Sequence, residues 1–230
     1  MPLTIIGTSH IAKQSVHEIK EAIAEKKPDF IAVELDKDRA LSLLKNTMQQ
    51  RSFSLRDVQQ VGIQGYIFVR VGQFIQQKLG RVVGISPGSE MKAALELANK
   101  EKIPILYIDQ PLPITLKRLS SGIKWREKLR IVADLLTIFI PSKFLKKKTV
   151  EKFDLTTVPA QEVISKLVLL MKNRYPTLHR VLLEERNKYM VQKLVTQLRS
   201  DSTKNILVIV GAAHKQGMEE LLLKVDVLHP

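Results

Sequence analysis

Residues 1–45 alternate between short β-branched runs and stretches with helical spacing. Leu3-Thr4-Ile5-Ile6 reads as a strand. Ala12, Val16, Ile19 and Ile23 then recur at helical spacing through Lys26. Lys26 and Lys27 suit the carboxyl end of that helix, and Pro28 stops it. Phe30-Ile31-Ala32-Val33 is long enough for a buried strand, so the two runs predict a parallel pair joined by a right-handed crossover. Asp36 is placed to cap the next helix, which carries Arg39, Leu41 and Leu44.

The glutamine-rich stretch from Asn46 to Leu79 predicts one or two helices, and Val82-Val83-Gly84-Ile85 a short strand. Ser86-Pro87-Gly88-Ser89 is a loop, with Ser89 capping a helix from Glu90 to about Lys100. Ile103 to Ile108 is a further strand whose proline marks its beginning. From Pro111 to Ser200 the pattern is almost entirely helical, with Pro159 and Pro176 near helix starts. Asn205 to Val210 returns as a strand, followed by a helix around Glu219 to Leu223 and an edge strand, Val225 to Leu228. The expected fold is α/β: a small, mostly parallel sheet core with large helical insertions. A single domain over 1–230 is expected, with its core in about 1–45, 82–110 and 204–230 and insertions at 46–81 and 111–203.

Composition narrows the classes. With 44% hydrophobic and 26% charged residues the chain is not wholly disordered. The absence of cysteine excludes disulfides, thiolate metal sites and a cysteine nucleophile. No signal peptide is read at the start, and no apolar run reaches the roughly 18 residues of a membrane span, so a cytoplasmic location is expected. The net charge of +14 raises the question of an anionic partner. Aromatic residues are only 5% and do not interleave with basic ones as stacking platforms would, so nucleic acid is not the expected partner. The apolar stretch Leu129 to Ile140 runs into Lys143, Lys146, Lys147 and Lys148. A core helix with a basic cap is the first reading, and weak contact with an acidic membrane surface is the other. Homo-oligomerisation is left open.

The chemistry concentrates where strands end. Gly7-Thr8-Ser9-His10 and Gly211-Ala212-Ala213-His214 each follow an apolar run. The glycine of each permits close backbone approach or a positive φ. His10, Glu34, Asp109 and His214 all fall at the carboxyl ends of strands, where open parallel sheets bind ligands. Two imidazoles and a carboxylate form a common shell for a divalent metal, which polarises a carbonyl and activates water. Glu90, after a loop and at a helix start, is a candidate base or further ligand. Plainer roles stay open: Glu34 and Asp109 as helix caps, Glu90 as a dipole partner, Glu185 and Arg186 as a solvated pair. His17, His179 and His229 receive no function.

Several of these residues form an ordered series. Gly-Thr-Ser-His at 7–10 is followed by Val-Glu-Leu at 33–35 with Arg39, then Pro-Gly-Ser-Glu-Met at 87–91. Tyr-Ile-Asp at 107–109 precedes Thr115-Leu116-Lys117-Arg118, and Glu185-Arg186 precedes Tyr189-Met190 and the final Gly-Ala-Ala-His. In this the chain resembles the TraB family, which includes the pheromone-shutdown protein PrgY and is related to Tiki proteases and, more distantly, erythromycin esterases. The resemblance implies a metal-dependent, peptidase-like hydrolase acting on a peptide or a small amide or ester. In it His10, Glu34 and His214 hold manganese, cobalt or zinc. Glu90, Asp109 and Glu185 are implied catalytic residues, with Glu90 or Glu185 as base, and Arg39, Arg118 and Arg186 bind substrate. Gln110 departs from the family, which often has arginine there, and many archaeal members carry membrane-spanning helices. A non-catalytic peptide- or signal-binding protein is the alternative.

Overall fold

The structure is a computed structural model and describes residues 3–8, 12–45, 88–139 and 160–228. The chain begins with β1 (Leu3–Thr8), α1 (Ala12–Lys26), β2 (Phe30–Val33) and α2 (Lys37–Leu44), the order that its periodicity predicts. Asp36 caps α2, its Oδ1 accepting the Arg39 N–H at 3.0 Å. Next come α3 (Ser89–Lys100), β3 (Ile105–Tyr107), α4 (Leu112–Gly122) and α5 (Trp125–Phe139). The helical series continues with α6 (Ala160–Arg174), the single turn α7 (Pro176–His179), a π-helical turn at Arg180–Glu184, and α8 (Glu185–Ser200). Then β4 (Ile206–Gly211) runs directly into α9 (Ala212–Leu228).

All four strands are parallel, in the order β1-β4-β2-β3. The fold is thus α/β, a small parallel sheet with helices inserted between its strands. The first two strands are parallel but not neighbours, because β4 lies between them. The burial pattern explains that placement. Ile206 to Val210 are all buried, so this run is apolar on both faces and suits the centre of the sheet. Gly7 lies opposite Val210 and Thr8 opposite Gly211, which brings the two ends of the chain side by side.

Alternation along the strands divides the core. Ile31, Val33, Leu207 and Ile209 pack with Ile19, Leu43, Leu95 and Ala98 of α1, α2 and α3. Ala32, Ile206, Val208 and Val210 face the other way, onto Met190 and Leu194 of α8 and Met218 and Leu222 of α9. A smaller cluster joins Leu119, Ile123 and Val181.

Two local expectations change. Gly88, with φ of 83°, and not Ser89, is the N-cap of α3, and it makes no side-chain cap bond. Ser89 is the first helical residue, and its Oγ donates to Glu90 Oε2 at 3.3 Å. Residues 225–228 continue α9 and form no edge strand. No proline interrupts that segment, and Met218 and Leu222, four residues apart, anchor the helix on the sheet. The helices expected in 46–79, the strand at 82–85, and His10 lie outside the described residues.

The inserted helices are tied down by polar groups as well as packing. Buried Glu127 of α5 accepts the N–H groups of Thr177 and Leu178 at 3.0 and 3.4 Å, supplying a cap that the start of α7 lacks locally. Replacing it, Glu127→Ala, should lower stability by about 1–2 kcal/mol, read as a denaturation midpoint shift with unchanged slope. A shift below a few tenths of that value would show that the cap is dispensable.

Candidate active site

The carboxyl ends of β2, β3 and β4 meet α8, and one side chain connects all of them. Arg186, in the first turn of α8, donates Nε to Asp109 Oδ1 at 2.9 Å and Nη2 to Asp109 Oδ2 at 2.8 Å. The same Nη2 reaches Glu34 Oε1 at 2.5 Å. Its Nη1 lies 3.1 Å from His214 Nε2 and donates to the Leu182 carbonyl at 3.2 Å. Asp109 is almost fully buried and takes two further donors, Arg39 Nη1 at 2.7 Å and the Gln110 N–H at 2.7 Å. Its two oxygens therefore hold two guanidinium groups, and it does not cap α4.

Glu34 is clasped from three sides. Oε2 accepts the Gly211 N–H at 2.6 Å, and Oε1 stands 3.1 Å from His214 Nε2 beside its Arg186 bond. A Cβ on Gly211 would come within 3.2 Å of that carboxylate, so glycine here serves close approach and not a positive φ. Burial acts to raise the Glu34 pKa. The His214 and Arg186 contacts with the Gly211 N–H outweigh it and hold the carboxyl well below the usual range. Burial also works against the Arg186 charge, and Glu34 and Asp109 more than restore it, raising its pKa further.

His214 sits in the first turn of α9 with its ring buried. Its Nδ1 lies 2.6 Å from Asn187 Oδ1, so Nδ1–H donates to the amide oxygen and Nε2 is left to face Glu34 and Arg186. A neutral ring accepts from Arg186, and a protonated one donates to Glu34. Asn187 is buried between α8 and α9, opposite Gly217. A Cβ at 217 would fall 2.4 Å from Asn187 Nδ2, so the helix must lack a side chain there.

Helix phase delivers these residues. The Glu185 N–H bonds to the Arg180 carbonyl five residues back, closing the π turn. Val181, within the turn, faces the small cluster with Leu119, whereas Met190, Val191 and Leu194 beyond it face the sheet. The extra residue lets one continuous helical segment serve both clusters and turns Arg186 and Asn187 inward.

The structure thus brings together Glu34, Asp109, Arg186 and His214, with Arg39 joined through Asp109. Glu185 forms a separate pair with Arg118 at 2.9 Å, with Arg180 at 3.7 Å from its other oxygen. Glu90 is buried at the start of α3 and is not among the groups bonded to Arg186. Gln110 turns inward, donating to Thr115 Oγ1 at 2.9 Å. Sequence reasoning missed Asn187 and Gly217. The one available signal was a glycine inside an otherwise unbroken helical segment.

Two of the expected metal donors meet here. Glu34 Oε1 and His214 Nε2 lie 3.1 Å apart and are the two described atoms that would hold a divalent ion. The Asn187 carbonyl fixes the ring as a ligand histidine requires. This donor chemistry fits a divalent cation, provided that Arg186 gives up its contacts to those two atoms. Among the described residues no three His, Asp or Glu side chains form a metal-holding group, and the third expected donor, His10, lies outside them.

The fold and this crevice place the chain among α/β proteins with a polar site at the carboxyl edge of a parallel sheet. It belongs to the TraB/PrgY/gumN family, whose model matches residues 2–225. It is 32% identical to an uncharacterized protein of Methanocaldococcus jannaschii, over 96% of this chain and 53% of that protein. It is 25% identical to the human TraB domain-containing protein, over 94% of this chain and 61% of that protein, and 24% to the mouse one, with the same coverage. The chain therefore spans between half and two thirds of the length of these relatives. Among the described residues no helix is long and apolar enough to cross a membrane.

Three outcomes follow from the geometry. Arg186→Met leaves Glu34 and Asp109 without their main counter-charge and should cost about 3–5 kcal/mol; a loss under 1 kcal/mol would mean that the cluster does not support the fold. Gly217→Ala should cost about 1–3 kcal/mol through collision with Asn187, and Asn187→Ala in the same chain should recover part of it. Because Glu34 lies below its ordinary value of 4.5 when folded, its ionisation favours the native state above that pH. In chelator, stability should decline as pH falls from about 4.5 toward the folded value, and Glu34→Gln should flatten that decline.

Proposed function

We propose that this protein is a metal-dependent hydrolase of the peptidase type, acting on a peptide or a small amide or ester. The observation that carries the reading is the buried Glu34–His214 pair, 3.1 Å apart, with the ring fixed by Asn187 at the carboxyl edge of the sheet. Glu34, His214 and His10 are the proposed ligands of manganese, cobalt or zinc. A bound ion would supply a Lewis acid for the scissile carbonyl and lower the pKa of water. Glu34 is kept anionic by the Gly211 N–H and its cationic neighbours, so it can hold a cation without first losing a proton. Asp109 orients Arg186 through two parallel bonds.

Arg186, once detached from Glu34 and His214, has Nη1 and Nη2 to offer to the developing oxyanion while Nε stays on Asp109. Arg39 and Arg118 remain partly exposed and can hold an anionic substrate group. The two candidate bases flank the Arg186 cluster and do not belong to it: Glu185 is held by Arg118 and Arg180, and Glu90 is buried at the start of α3.

A second reading, a non-catalytic peptide- or signal-binding protein, rests on a different fact. Arg186 already satisfies the Glu34–His214 pair, and among the described groups that it joins, Glu34 and Asp109 are met by Arg186 and Arg39. Dialysis against manganese, cobalt or zinc, with metal analysis and turnover of a peptide and ester panel, separates the two. The hydrolase reading expects retained metal and turnover, both reduced at least tenfold in His10→Ala, His214→Ala and Glu34→Gln. Unchanged metal retention in all three variants would sink it. Peptide binding without turnover under every metal would establish the second reading.

A further inference from the structure

Among its described side chains, helix α5 is anchored by Glu127, Asp134 and half-buried Ile131, and it turns Trp125, Leu129 and Val132 outward. Glu127 is buried and caps α7, and Asp134 accepts from Arg174 and Tyr175. On the opposite side Trp125, Leu129 and Val132, spaced by four and three residues, are 66%, 60% and 53% exposed. Lys124 and Arg126 face solvent beside the stripe, the Arg126 guanidinium standing 5.5 Å over the Trp125 ring, whereas Arg130, though exposed, donates Nη1 to the Arg174 carbonyl at 2.7 Å on the anchored side. Alongside, α6 exposes Leu167 and Leu170 on the flank that carries Arg174, the residue that joins the two helices. The exposed acid on α6, Glu162, is paired with Lys166 at 2.7 Å.

We propose that this face of α5, with Trp125, Leu129 and Val132 rimmed by Lys124 and Arg126, lies on the headgroup region of an anionic phospholipid bilayer. The apolar stripe enters the interface while the cations stay at phosphate depth, and long basic side chains reach outward along their apolar stems. Tryptophan at the edge of the stripe suits the boundary between acyl chains and headgroups. The charge argues against a second copy of the chain as occupant, because two such faces would oppose like charges in a protein already at +14. It equally favours a surface of negative potential. The proposal is independent of the hydrolase reading, since none of its residues touches Glu34, Asp109, Arg186 or His214.

Trp125 is the only tryptophan, so its emission reports this face alone. The full chain is mixed at low salt with vesicles of phosphatidylcholine and phosphatidylserine, and with vesicles of phosphatidylcholine only. The expected result is co-sedimentation with the anionic vesicles, a blue shift of Trp125 and protection from acrylamide, all reversed by salt. The double variant Leu129→Ser, Val132→Ser, whose fold is checked by circular dichroism, should bind about tenfold more weakly. Lys124→Gln with Arg126→Gln should weaken binding and reduce its salt dependence. Absence of binding at low salt overturns the proposal. So does binding that leaves Trp125 emission unshifted or that the Leu129/Val132 variant retains in full. A blue shift without lipid that grows with protein concentration, together with a rise in mass, overturns it in favour of self-association.

Discussion

The guanidinium of Arg186 is the fixed point of this structure. Glu34 and Asp109 are carboxylates at the ends of adjacent strands, both largely withdrawn from water. Two buried anions so close would repel, and each would lose hydration worth several kcal/mol. One planar cation with five N–H groups answers both, with two bonds to Asp109, one to Glu34 and one group against His214. A lysine could supply the charge but not the forked geometry. Arg39 adds a second cation on Asp109, so two carboxylates face two guanidinium groups.

That arrangement needs the sheet order and the helix phase together. With β4 in the centre, the Gly211 N–H is placed against Glu34 at the end of β2, and Thr8 of β1 lies on the other side of Gly211. Arg186 and Asn187 must then approach from a helix that also packs Met190 and Leu194 on the sheet. The π turn before α8 reconciles the two demands. Gly217 completes the fit by leaving room for Asn187, which in turn fixes His214. The site therefore depends on residues that carry no charge and no reactive group.

Much of this was legible in the sequence, for physical reasons that differ by element. The βαβα opening, the cap at Asp36 and β4 were readable because burial enforces periodicity and polar caps stand where helices begin. Glu34, Asp109 and His214 were identified as strand-end groups, and the parallel sheet does gather them. The central position of β4 was not readable, since strand order depends on which run tolerates burial on both faces. Arg186 was readable only through a resemblance, because an arginine following a glutamate on a helix looks like a solvated pair. The contact of Asn187 with Gly217 joins residues that are distant in sequence, and a π turn leaves no compositional mark.

Helix α5 shows the same limit from the opposite side. Its apolar run predicts a core helix, which Ile131 meets by packing against Leu119, Ile123 and Val181 and which Leu129 and Val132 do not, while the side chains from 135 on lie outside those described. Glu127 and Asp134 decide the matter, because each finds buried or half-buried partners on the following helices that solvent could replace only by unfolding the cap and the Arg174 contact. Once those two acids are committed inward, helical geometry sends Trp125, Leu129 and Val132 outward with the basic residues beside them. The outward polarity of this helix is thus set by the same rule that organises the crevice: buried carboxylates dictate where the surrounding cations and apolar surfaces must go.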